Sequence, residues 1–168
     1  VGIDLGLSHF AVLSTGEKVA AQNTFRKNEA KLAKLQRRLA KKTKGSNRRR
    51  KAKLKVAKLH AKIADSRRDF LHKLSTRLIS ENQVIAIESL AVSNMQKNRH
   101  LAKSISDASW AEFVRQLEYK AQWYGRTLIG IDRWYPSSKR CSDCGHTVSK
   151  LPLSVREWVC PECGTIHD

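Results

Sequence analysis

Acidic residues are scarce in this chain. It carries 15 Asp and Glu against 33 Lys and Arg, a net charge of +18 and a pI near 10.2. So few acids cannot neutralise the bases internally, so a polyanionic partner is expected, and nucleic acid is the obvious one. Cysteine is absent from the first 140 residues, and all four cysteines fall between positions 141 and 163. That distribution argues against a disulfide scaffold, and the spacing suits a metal site in a reducing cytoplasm. No apolar run approaches the roughly 20 residues that span a bilayer, and no secretory signal is visible. There is no internal repeat. The chain opens on Val1 inside an apolar run and stops just after a cysteine pair, so both ends read as cuts through a longer protein.

The positive charge is concentrated. Residues 26–82 hold 21 Lys or Arg and 4 Asp or Glu, nearly all of the excess. Apolar residues recur there at helical spacing: Leu32, Leu35 and Leu39, then Val56, Leu59 and Ile63, then Phe70, Leu71, Leu74 and Leu78. Between the first two runs lies "TKGSNRRRK", with Gly45, Ser46 and Asn47 as turn residues. The pattern predicts a basic hairpin of two long amphipathic helices. Runs of one sign such as Arg48, Arg49, Arg50 and Lys51 cannot pair internally, so they are candidates for phosphate contacts, with Arg37, Arg38, Lys41 and Lys42.

Around the hairpin the chain alternates between strand and helix patterns. Residues 1–25 read as strands with a tight turn at "TGEK". "NQVIAIESLAV" (82–92) and "TLIGIDRW" (127–134) read as strands buried on both faces. Residues 109–126 read as an amphipathic helix with Ser109 and Glu112 as a capping box. The stretch 94–106 reads as a polar, basic loop. Together these predict an α/β or mixed layer architecture.

Two acids sit where acids are costly. Asp4 lies in "VGIDLGL" and Glu88 in "VIAIESL", both otherwise uncharged. A buried carboxylate in an apolar strand needs a partner or a metal, the alternative being that each acid sits at its strand end and faces water or pairs with an arginine. If the two strands are neighbours, both carboxylates reach one cation, and an oxygen-rich site suits Mg²⁺ or Mn²⁺. Two such ions roughly 4 Å apart can clamp the attacking and leaving oxygens of a phosphodiester. A basic channel leading to isolated core carboxylates is what a nuclease needs.

Cys141, Cys144, Cys160 and Cys163 form C-x2-C-x15-C-x2-C, with glycine after each pair. This is a four-thiolate zinc pattern, closed and therefore structural. His146 and His167 are read as bystanders. Ser137, Ser138 and Lys139, before the first pair, are candidate phosphate contacts, against the alternative of a simple turn after Pro136. Trp134 and Tyr135 are candidates for base stacking, with core packing the alternative for Trp134.

The segments "GIDLGLSHFAVLSTGEKV", "FLHKLSTRLISENQVIAIESLAVSNM", "SWAEFVRQLEYKAQWYGRTLIGIDRWYPSSKRCSDCG" and "LPLSVREWVCPECGTIHD" resemble the C-terminal half of TnpB-type (OrfB) proteins of bacterial insertion sequences, relatives of compact type V CRISPR nucleases. The resemblance implies an RNase H-like (RuvC) mixed sheet over residues 1–136, interrupted by the helical hairpin at 26–82, and a zinc ribbon over 137–168. It implies a guide RNA, a DNA target, Mg²⁺-dependent cleavage, structural Zn²⁺ and a home in the bacterial or archaeal cytoplasm near the nucleoid. Asp4 matches the family's first catalytic aspartate and Glu88 its catalytic glutamate. The family continues after the ribbon as Asp-Arg-Asp-x-Asn-Ala-Ala, where the second aspartate is catalytic. In that register Asp168 is the first aspartate and the third ligand lies two residues beyond; in the shifted register Asp168 is itself the ligand. Two other classes fit the same residues: a non-catalytic nucleic-acid-binding regulator or domesticated relative, and a strand-transfer transposase.

Overall fold

Five short apolar segments assemble into one mixed sheet in the computed structural model, which describes residues 1–152, 155 and 157–167. The strands are β1 (Gly2–Leu5), β2 (His9–Leu13), β3 (Lys18–Ala20), β4 (Val84–Glu88) and β5 (Thr127–Ile131). Their order across the sheet is β3-β2-β1-β4-β5. The first three form an antiparallel meander, with Gly16 at positive φ in the turn predicted at "TGEK". β4 and β5 then add parallel to β1, which requires crossover connections. The first crossover is the helical hairpin. The second runs through α3 (Val92–Met95), α4 (Ala102–Ala108) and α5 (Trp110–Tyr124).

The hairpin forms as its periodicity predicts. α1 (Thr24–Ala40) and α2 (Asn47–Glu81) are joined by a turn in which Gly45 has φ +82°. Ser46 caps α2, its hydroxyl accepting the Arg49 amide at 3.2 Å. Leu32, Leu59 and Ile63 make a small buried core between the two helices, separate from the main one. Along α2 the buried residues change partners: Leu59 and Ile63 belong to the hairpin, whereas Leu71, Leu74, Leu78 and Ile79 join the sheet core.

The main core lies on one face of the sheet. Ile3, Leu5, Ile85 and Ile87 meet Leu71, Leu78, Phe113 and Leu117 from α2 and α5. Phe10 stands edge-on to Phe70 and Phe113, each 5.1 Å away, contacts worth about 0.5–1.5 kcal/mol each beyond their burial. The opposite face is open, with Val84 47% and Ile129 48% exposed. The expectation that β4 and β5 are buried on both faces is therefore corrected: an unbroken apolar run looks the same whether one face or two are covered. Two further expectations are revised. The predicted loop at 94–106 contains the end of α3 and most of α4. Ser109 stands at the N-cap position of α5 as expected, but at φ +57° its hydroxyl donates back to Ser106 O and its side chain caps nothing on α5.

The remaining described residues form a second compact unit, Asp132–Asp168. It holds a 3-10 turn at Ser137–Lys139, the two-residue strands β6 (Trp158–Val159) and β7 (Ile166–His167), and a bridge between Arg140 and Thr147. Among its described residues only Cys141 and Cys160 are buried. No helix among the described residues is long and apolar enough to cross a membrane.

Candidate metal centres and nucleic-acid interface

β1 and β4 are parallel neighbours in the register Gly2↔Ala86, Ile3↔Ile87. Continued by one residue, that register sets Asp4 level with Glu88, on strands about 4.8 Å apart. Both lie on the face opposite Ile3, Leu5, Ile85 and Ile87, so they flank each other on the open side of the sheet. Asp4 is exposed and Glu88 half-buried. The same transverse row continues through Val12 to Lys18 on one side and to Ile131 on the other. Lys18, the last residue of "TGEK", joins this row only through the strand pairing. Two adjacent carboxylates on an open face suit a hard divalent cation, which would relieve their mutual repulsion.

Glycine shapes the chain just past Asp4. A Cβ on Gly6 would lie 3.1 Å from the His9 carbonyl oxygen, so a side chain there would crowd the tight β1–β2 connection. The sequence motif around Asp4 thus joins an acid to the turn that ends its strand.

The four cysteines converge, their sulfurs all within 4.8 Å of one another. Cys141 Sγ is 3.4 Å from Cys163 Sγ, and Cys144 Sγ 3.6 Å from Cys160 Sγ. A tetrahedron with Zn–S bonds of about 2.3 Å has edges near 3.8 Å, so the set fits Zn²⁺ with small relaxation. The two pairs fold alike. Gly145 and Gly164 both have φ +75°, and their amides donate to Cys141 O at 3.1 Å and Cys160 O at 2.9 Å. A side-chain-bearing residue would be strained at either position. Around the cluster, Thr165 donates to Asp143 at 2.6 Å. His167 lies beside the four-sulfur cluster: its Nε2 is 3.2 Å from Cys141 Sγ and its ring centroid 4.6 Å from that of Trp158. His146 stays outside the cluster, 3.7 Å from Glu162.

The hairpin cations separate by role. Arg49 donates to Leu39 O at 3.1 Å and Lys42 O at 2.9 Å, satisfying carbonyls at the end of α1. It is occupied in holding the turn. Arg37, Arg38, Lys41, Lys42, Arg48, Arg50 and Lys51 are all exposed. Lys139 donates to Ser149 O at 3.3 Å within the second unit. Trp134 is 84% exposed, which excludes core packing within the described residues, and Arg140 lies 5.8 Å over the Tyr135 ring. Asp168 lies outside the described residues.

The family model OrfB_IS605, described as "Probable transposase", matches residues 1–99, which include Asp4, the hairpin and Glu88. The chain belongs to the TnpB (OrfB) family. A second model, "Cas12f1-like, TNB domain", matches residues 110–168, which include α5, β5 and the cysteine cluster. This TnpB-family chain is 56% identical over its whole length to a Streptomyces pristinaespiralis protein named "Putative RNA-guided DNA endonuclease", of which it covers 42%. It is 40% identical over 95% of its length to Escherichia coli InsQ, of the same description, covering 43%. It thus spans less than half the length of the curated relatives it matches. Among solved structures it is similar to Cas12f1, taken from a complex with sgRNA and target DNA, with a TM-score of 0.64, 17% identity, and coverage of 99% of this chain and 46% of that one. At that identity the likeness concerns the fold.

Proposed function

We propose that this chain is the nuclease portion of a transposon-encoded, RNA-guided DNA endonuclease. The observation that carries the reading is the parallel register that sets Asp4 beside Glu88 on the open face of the sheet. On this reading residues 1–136 are an RNase H-like (RuvC) core and residues 137–168 a structural zinc ribbon. The names of the relatives and the fold of Cas12f1 support it.

Asp4 and Glu88 act as oxygen ligands that hold charge at one spot beside the scissile phosphate. Two divalent cations such as Mg²⁺ or Mn²⁺, when bound there, would supply the charge that favours hydroxide at one and stabilises the leaving 3′ oxygen at the other. The third carboxylate is Asp168 or an acid close after it. The basic hairpin holds RNA and DNA backbones near an acidic centre that would otherwise repel them.

The test is cleavage of matched duplex DNA by the full-length protein with its guide RNA and Mg²⁺. Asp4→Asn and Glu88→Gln each should lower the rate by on the order of 10²-fold or more while leaving RNA binding unchanged. Undiminished cutting by either variant overturns the assignment.

A further inference from the structure

The hairpin ends in a feature that its overall charge does not require. At its tip, five cations converge on one groove of about 250 Å³: Arg38 from the last turn of α1, Lys42 from the connection just past it, and Arg48, Lys51 and Lys55 from the start of α2. The floor is apolar, made by Leu35 and Ala52. No carboxylate lines it, and no ion pair engages any of the five among the described residues. Arg48 with Lys51 and Lys51 with Lys55 are helical neighbours within α2, so they repel one another where they stand.

Other cations of the tip are directed elsewhere. Arg37, Lys41 and Arg50 are exposed but do not line the groove, although each is adjacent in sequence to a residue that does. Arg49 fixes the turn through Leu39 O and Lys42 O, and Ser46 caps α2, so the two rims are held at a set separation before any ligand arrives. We propose that this groove is a phosphate clamp that seats a nucleic-acid backbone. The cations engage successive phosphates, and Leu35 and Ala52 contact the sugar edge between them. The inference deepens the reading of the hairpin as a nucleic-acid interface and rests on it. It adds that one face of the tip does the gripping.

A charge-matched pair of variants tests it in the full chain. One carries Arg38→Gln, Lys42→Gln and Lys51→Gln; the other carries Lys44→Gln, Lys53→Gln and Lys58→Gln, exposed hairpin cations that do not line the groove. Circular dichroism confirms that both keep their helix content. Affinity for a labelled single-stranded RNA and for a labelled DNA duplex is measured across a salt series. The groove variant should lose roughly two to three in the slope of log affinity against log salt on at least one probe, and the control less than about one. Loss on RNA alone assigns the clamp to the guide, loss on the duplex alone to the target, and either outcome supports it. Equal losses in the two variants, or none in the groove variant, overturn it. DNA cleavage, measured in parallel, separates this from the nuclease reading: a groove variant that binds normally while Asp4→Asn stops cutting sinks the clamp alone.

Discussion

Asp107 caps a helix that begins more than eighty residues before it. Its carboxylate oxygens accept the Phe25 amide at 2.9 and 3.0 Å, and Oδ2 lies 3.4 Å from the Arg26 amide. Asn23 precedes α1 at φ +50° and provides no side-chain cap, so the first turn of the hairpin relies on a residue of α4. Arg67 adds a more distant charge at 3.9 Å. Asp107→Ala should therefore destabilise the chain by about 1.5–3 kcal/mol, the range for a buried hydrogen-bonded carboxylate, with Asp107→Asn costing less. Urea denaturation measures both; an alanine variant as stable as the parent refutes the capping role.

Lys120 anchors a second long-range contact. Its buried ammonium donates to His72 O at 3.0 Å, Ser75 Oγ at 2.7 Å and Thr76 Oγ1 at 2.8 Å, joining α5 to α2, and burial holds its pKa below the ordinary lysine value. Lys120→Ala should cost roughly 2–4 kcal/mol through unsatisfied groups and a cavity. Lys120→Met, which keeps the stem, should recover a large part. Equal losses for both in thermal melts would show that the hydrogen bonds, not the packing, dominate.

Acid titration has a defined contributor. Arg115 and then Gln116 hydrogen-bond the Glu112 carboxylate and hold its pKa at about 2 instead of 4.5. A lowered folded-state value means stability that is present above pH 4.5 and lost as pH falls toward 2. Glu112 is partly exposed, so the effect is about 0.5 kcal/mol or less. Glu112→Gln should flatten the acid limb of the stability profile in that window and leave neutral pH nearly unchanged. A parallel acid limb in the variant would remove Glu112 as its source.

Zinc removal should act on one unit. With only Cys141 and Cys160 buried among the described residues of 132–168, a metal held by the four thiolates would serve as the core there. Structural zinc supplies about 10–16 kcal/mol in such small modules. Chelation, or Cys160→Ser, should abolish slow amide exchange in residues 141–149 and 157–167 while the helix signal of Val1–Ile131 persists. Unchanged exchange after metal loss would contradict a structural role.

The parts of the fold that follow local periodicity were legible in the sequence. The hairpin helices, the turn at Gly45 and the cysteine spacing each needed only neighbouring residues. Asp4 and Glu88 stood out because apolar strands rarely carry acids. Features set by partners distant in sequence were not legible. "VIAI" gives no sign of which sheet face is covered, Ser109 fits a capping box that the αL backbone denies it, and Lys18 joins the acid row only through strand pairing. The separation of Arg38 and Lys42 from Arg37 and Lys41 also needs both helices in place.

The two cores threaded by α2 have a mechanical consequence. Its 35 residues run about 52 Å, and none of residues 47–58 is buried. The Leu32–Leu59–Ile63 cluster fastens the arms to each other, while Leu71 through Ile79 fasten the stem to the sheet. The reach of the tip and the spacing of the two strand acids are thus independent dimensions. Removing or inserting whole turns in both arms above Leu32 and Leu59 would move the tip nearer to or farther from the strands and leave the Asp4–Glu88 register untouched.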